Sequence, residues 1–81
     1  MTMAVSPQLR GRYKARPELE ELLAERLGAH HRRAVAERLD VTYEAARLWL
    51  TGGRTVTPDV ATRLARIAGK TRAEVFTEAG Q

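Results

Sequence analysis

The 81 residues allow one small domain, because a chain this short buries only about 60 to 65% of its unfolded surface and has none to spare for a second core. A hydrophobic content of 43% suits a folded chain, while the absence of cysteine excludes disulfides and thiolate metal sites, and no apolar run approaches the roughly 18 residues of a membrane span. The net charge of +4 points toward polyanionic partners, and the lack of both cysteine and a secretory apolar region fits a cytoplasmic protein.

The charge is unevenly placed. Residues 1–16 carry Arg10, Arg12, Lys14 and Arg16 with no acid, and Pro7 and Gly11 interrupt any helical period, so the stretch reads as a flexible basic arm. The helical domain is expected over residues 17–81. Its first helix opens at Pro17, a good first helical residue, with Glu18, Glu20 and Glu21 complementing the positive end of the helix dipole. Leu19, Leu22, Leu23 and Leu27 form one apolar stripe, and Gly28 closes the helix.

A second helix is expected from His31 to Leu39, turning Val35, Ala36 and Leu39 inward and leaving Arg32, Arg33, Glu37 and Arg38 outside. Asp40 and Val41 break its period. Thr42 can cap a third helix from Tyr43 to Thr51, ended by Gly52 and Gly53. "TPD" announces a fourth, with Thr57 as cap, Pro58 in first position and an apolar stripe of Val60, Leu64 and Ile67, stopped by Gly69. The capping box "TRAE", Thr71 to Glu74, opens a fifth, which offers Val75 and Phe76 to the core. No alternating run is long enough for a strand, although "RTV" at 54–56 can extend briefly. The expected fold is therefore all-α, with five short helices.

The second and third helices carry the functional signal. Ala36 lies four residues before the turn at Asp40; Leu39 and Val41 flank that turn; Ala46 and Trp49 follow at helical spacing. A tight corner between two short helices needs a small residue at the close approach, an apolar plug on each side and two inward anchors, which is the pattern of a helix-turn-helix. With only Tyr13, Tyr43, Trp49 and Phe76 as aromatic residues, Trp49 is the expected keystone of the core.

Residues 32–76 resemble the phage Cro and repressor type of helix-turn-helix protein, and within it the regulators similar to the YdaS antitoxin or Cro-like proteins. The resemblance is carried by Ala36, the turn "DVT", Trp49, the loop "GGR", Pro58 and "KTRAE". One departure matters: Asp40 stands where the family usually has glycine, at a turn that wants a positive φ, which Asp tolerates at small cost. The resemblance implies a lambda repressor-like fold and a sequence-specific regulator of transcription that binds double-stranded DNA, of phage, plasmid or mobile-element type.

If Ala46 and Trp49 turn inward, Tyr43, Glu44, Arg47, Leu48 and Thr51 face outward, toward the major groove. There Arg47 can donate two hydrogen bonds to a guanine edge, Glu44 can accept from a cytosine amine, Leu48 or Thr51 can touch a thymine methyl, and Tyr43 can reach a base edge or phosphate. Expected phosphate contacts are Arg32 and Arg33 at the start of the second helix, Thr42 at the start of the third, Arg54, and Thr57 at the start of the fourth. The basic arm would add Arg10, Arg12, Lys14 and Arg16 in the minor groove or as a diffuse clamp.

One recognition helix covers few base pairs, so a homodimer is expected, formed either in solution or only on DNA. Adjacent His30 and His31, with no further His or Cys, make no metal site, and the glutamates of the first helix lack a nucleophile or phosphate loop beside them. No enzyme and no cofactor are expected. The alternative is a protein-interaction module, an antitoxin or polymerase-binding accessory using the same corner.

Overall fold

A computed structural model describes residues 11–79. Along them run β1 (Arg12–Ala15), α1 (Pro17–Leu27), α2 (His31–Leu39), α3 (Tyr43–Thr51), α4 (Pro58–Ala68), α5 (Arg72–Val75) and β2 (Phe76–Ala79). The four longer helices have the bounds their capping residues dictate. Pro17 starts α1 and the Gly28 N–H donates to the Ala24 carbonyl at 2.8 Å to close it. Thr57 caps α4, its hydroxyl oxygen accepting from the Val60 N–H at 3.4 Å.

One core joins the elements. Leu19 and Leu23 of α1 lie at its centre, with Val35 and Ala36 from α2, Ala46 and Leu50 from α3, and Ala61, Leu64, Ala65 and Ala68 from α4. The three alanines on the buried side of α4 keep that surface thin, so the helix can lie against α1, α5 and β1. Leu22, Leu27, Leu39, Val41, Trp49, Val60 and Ile67 are partly buried around the edge.

The corner between α2 and α3 is built as its residue types require. Asp40 takes the left-handed conformation, φ 58° and ψ 50°, and is the described non-glycine residue with positive φ. That conformation turns the Val41 N–H back onto the Ala36 carbonyl at 2.9 Å, which satisfies an end carbonyl of α2 and folds the chain toward α3.

The structure corrects the all-α expectation. β1 and β2 pair antiparallel, Arg12 opposite Ala79 and Ala15 opposite Phe76. On the other side of β1, the Tyr13 N–H donates to the Val56 carbonyl at 2.9 Å and the Val56 N–H donates to that of Tyr13 at 2.8 Å, so the extension expected at "RTV" is a single bridge. Strands of four residues are too short to show an alternating pattern, and their pairing is a long-range gain invisible to local spacing. The last helix is correspondingly shorter than expected. Its Thr71–Glu74 box is present, the Thr71 N–H donating to Glu74 Oε1 at 2.8 Å, but the helix ends at Val75 and Phe76 already has φ −131° and ψ 151°. Val75 and Phe76 are both buried, one as helix and one as strand.

The expected flexible arm also needs correction. Residues 12–16 belong to the fold: Ala15 is buried, Tyr13 packs against the core, and the Arg16 N–H donates to the Val75 carbonyl at 2.9 Å. The domain therefore begins no later than Arg12 rather than at Pro17, while Arg10 lies outside the described residues. Among the described residues no helix is long and apolar enough to cross a membrane.

Candidate nucleic-acid interface

The α3 helix is held at its start by Thr42, whose hydroxyl oxygen accepts from the Ala45 N–H at 3.1 Å. Its inward residues are Ala46, fully buried, and Leu50, 2% exposed. Trp49 is partly buried beside them, which corrects the expectation that it anchors the helix. The reason is angular. Residues four apart nearly coincide on a helix, so Ala46 and Leu50 define the buried stripe, and Trp49 falls to its flank.

This rotation leaves Tyr43, Glu44 and Thr51 exposed and Arg47 partly so. Tyr43, half exposed, is the exposed large hydrophobic side chain among the described residues. Leu48 points away from the core yet is half-buried, because residues 53 and 54 fold back over it: their N–H groups donate to its carbonyl at 2.9 and 3.2 Å. A β-carbon at Gly53 would stand 3.1 Å from Leu48 Cδ2, so Leu48 is largely covered by its own loop. The Thr51 hydroxyl donates to the Arg47 carbonyl at 2.9 Å, which engages its proton within the helix and leaves its methyl group for apolar contact.

Arg47 and Glu44 form a forked ion pair on this face, Arg47 Nε donating to Glu44 Oε1 at 3.2 Å and Nη2 to Oε2. The bound guanidinium holds the Glu44 carboxyl below its usual range, and the charge of nearby Arg54 adds to the effect. Arg54 is itself exposed.

Next to this face is the start of α2. Its preceding residue, His30, gives no side-chain cap, and the first turn contains no acid. Tyr43 shares a shallow groove with Ala29, His30, His31, Arg32 and Arg33, so the beginnings of α2 and α3 form one continuous surface. Arg33 is exposed and has no ion pair among the described residues.

Arg32 is placed differently from the sequence expectation. Glu20 of α1 accepts from Arg32 Nε and, at 3.2 Å, from Nη2, and it lies 2.9 Å from His31 Nε2. The Arg32 pKa is raised, first by Glu20 and then by the Tyr43 phenol beside it. Arg32 thus ties α1 to the start of α2 instead of standing free for a phosphate. Sequence reasoning missed this contact because Glu20 and Arg32 sit on different helices, where local spacing says nothing about their approach.

The arm residues divide in the same way. Arg12 donates through Nε to the Thr55 hydroxyl at 3.0 Å and through Nη2 to the Thr55 carbonyl at 2.9 Å, fastening β1 to the loop after α3. Arg16 Nε donates to the Phe76 carbonyl at 3.3 Å. Both cations expected to contact DNA thus also hold the fold, Arg12 through two bonds and Arg16, which is exposed, through one. Lys14 is exposed and lies along Gly52, whose left-handed φ of 82° ends α3; a β-carbon there would stand 3.2 Å from Lys14 Cε. A contact that local reading could not show is Arg72, stacked 4.8 Å from the Tyr13 ring centre and donating to the Thr62 hydroxyl at 3.3 Å.

The Glu20 cluster has a pH consequence. Arg32, with His31, lowers the folded-state pKa of Glu20 from its ordinary 4.5. The resulting stabilisation is present above the unfolded pKa and is lost as pH falls through the folded one. Glu20→Gln is expected to lower the urea midpoint at pH 7, and the gap from wild type should close as both are taken down past the ordinary carboxylate value of 4.5 until Glu20 is protonated in the folded protein. A gap of constant size across that range would show that the carboxylate charge does not matter.

Comparison of the chain with family models, with curated proteins and with solved structures finds no match to any of the three.

Proposed function

We propose that this protein binds double-stranded DNA through a helix-turn-helix formed by α2 and α3, with the exposed face of α3 reading base edges in the major groove, and that it acts as a small transcriptional regulator. The observation that carries the reading is the exposed face of α3, with Tyr43, Glu44, Arg47 and Thr51, whose Tyr43 end adjoins the start of α2, where no side chain caps the helix and Arg33 is exposed. A helix start of this kind attracts phosphate through its free N–H groups and its dipole. Exposed Arg33 and Arg54 lie on two of the segments that border α3, suited to backbone contacts on either side of the reading helix.

The free groups suit distinct roles. Arg47 offers hydrogen bonds to guanine, the Thr51 methyl fits a thymine methyl, and Tyr43 beside Arg33 reaches toward the sugar-phosphate backbone. Thr42 and Thr57 cap the starts of α3 and α4, two further helix starts suited to phosphate. A helix of nine residues covers few base pairs, so two copies on adjacent half-sites, roughly 34 Å apart, would supply the specificity of a regulator.

Salt provides the test. Neutralising Z phosphates makes log affinity fall with log salt at a slope of about −0.9Z for duplex DNA. Fluorescence anisotropy with a random-sequence duplex is expected to give a slope of about −3 or steeper between low and moderate salt. Arg33→Ala and Arg54→Ala should each make it shallower by about 1. A flat response, or no binding at low salt, would favour a protein partner for this surface instead.

A further inference from the structure

Resting on the DNA reading, we infer that Glu44 is a positioning residue for Arg47: it holds the arginine so that one guanine is recognised by the pair, and it reads no base of its own. The geometry of the fork is the reason. A guanidinium carries five N–H donors on two usable edges, one made by Nε and Nη2 and the other by Nη1 and Nη2. In this protein Glu44 takes the first edge with both carboxylate oxygens, Oε1 from Nε and Oε2 from Nη2. The second edge, with a parallel pair of N–H groups, has no partner among the described residues, and a parallel pair is what guanine O6 and N7 accept.

The same contact limits Glu44 as a direct reader. Each of its oxygens already accepts from Arg47, so a cytosine amine could be met only on the outer lone pairs of a carboxylate whose direction the arginine fixes. Left unpaired, it would also be a negative charge facing a duplex whose phosphates repel it. Paired, its charge is offset, and Arg47 needs less ordering when it meets a base, because a long side chain already held in one arrangement loses less freedom on binding. The pair lies on the exposed side of α3, with Arg47 38% and Glu44 64% accessible, and neither residue belongs to the buried core.

This assignment predicts coupling that separate readers would not show. In selection of bound sequences from a random duplex pool, Arg47→Ala should lose contrast at one guanine position per half-site, by roughly 5- to 150-fold in preference. Glu44→Ala should blur that same position, and the double variant should lose no further position. Glu44→Gln, whose amide oxygen still accepts one donor, should retain most of the contrast. Anisotropy with random duplex should show Glu44→Ala binding at least as tightly as wild type, since an acid has been removed; a residue needed only for helix stability would weaken both measurements.

Two results would overturn the inference. One is Glu44→Ala erasing a different position while the Arg47 position stays sharp, which would make Glu44 a base reader. The other is Glu44→Ala leaving every position intact. A wild-type protein that enriches no motif would overturn the DNA reading itself and this inference with it, and it is told apart from the first two by the wild-type selection alone.

Discussion

Deleting residues 1–16 is expected to cost a large part of the stability of the domain. The deletion removes β1 and with it the paired backbone bonds between Tyr13 and Val56, the bond from Arg16 to Val75 and the antiparallel ladder to β2. It also strips buried Ala15 and half-buried Tyr13 from a core that includes Val56, Val75 and Phe76, leaving those three side chains open to water. With about 1 kcal/mol for each lost hydrogen bond and about 25 cal/mol per Å² of apolar surface exposed, the loss is on the order of 3 to 5 kcal/mol. A domain of this size has only about 4 to 12 kcal/mol in total. Thermal unfolding followed by circular dichroism should therefore show a midpoint lowered by about 12 °C or more, at about 4 to 8 °C per kcal/mol, or no cooperative transition. An unchanged midpoint would mean that residues 12–16 contribute nothing to the fold.

The helices were readable because each carries its own punctuation. Pro17, Thr42, Thr57 with Pro58, and the glycines at 28, 52 and 69 act within one turn of the element they bound, so their meaning survives in a linear reading. Asp40 was readable for the same reason: a short polar residue between two apolar runs is one of the few that tolerates a left-handed turn, and it takes one. What remained hidden depends on distant partners. "RYKA" and "FTEA" become strands only because the two ends of the domain meet, and Phe76 leaves the last helix to make that pairing.

The candidate interface was legible to the same extent. That Tyr43, Glu44, Arg47 and Thr51 share an outward face follows from helical period. That Leu50 and not Trp49 accompanies Ala46 into the core depends on a rotation of the helix that its crowded apolar residues leave open. The cations were the hardest to place. Arg12, Arg16 and Arg32 look alike in sequence to Arg33 and Arg54, yet the first three are tied to Thr55, Phe76 and Glu20 across element boundaries. Of these three only Arg32 has its charge met by an acid among the described residues, Glu20, so a count of positive charges overstates the free basic surface at the start of α2.

The central claim is that Arg47, presented on α3, meets a guanine in the major groove. The N7 atom of guanine lies in that groove and accepts one of the two hydrogen bonds such an arginine makes, and a bidentate pairing of this kind contributes about 1 to 3 kcal/mol of discrimination. Methylating N7 both removes the acceptor and fills the space where the guanidinium would sit. The loss should then exceed that of removing the arginine, which forfeits the bonds without adding a clash. Guanine N7 methylation interference on an enriched duplex tests this directly. The expected result is that methylation at one guanine in each half-site blocks the wild-type protein and no longer affects Arg47→Ala; binding that tolerates methylation at every guanine, or an Arg47→Ala variant with the same interference pattern as wild type, would contradict the account.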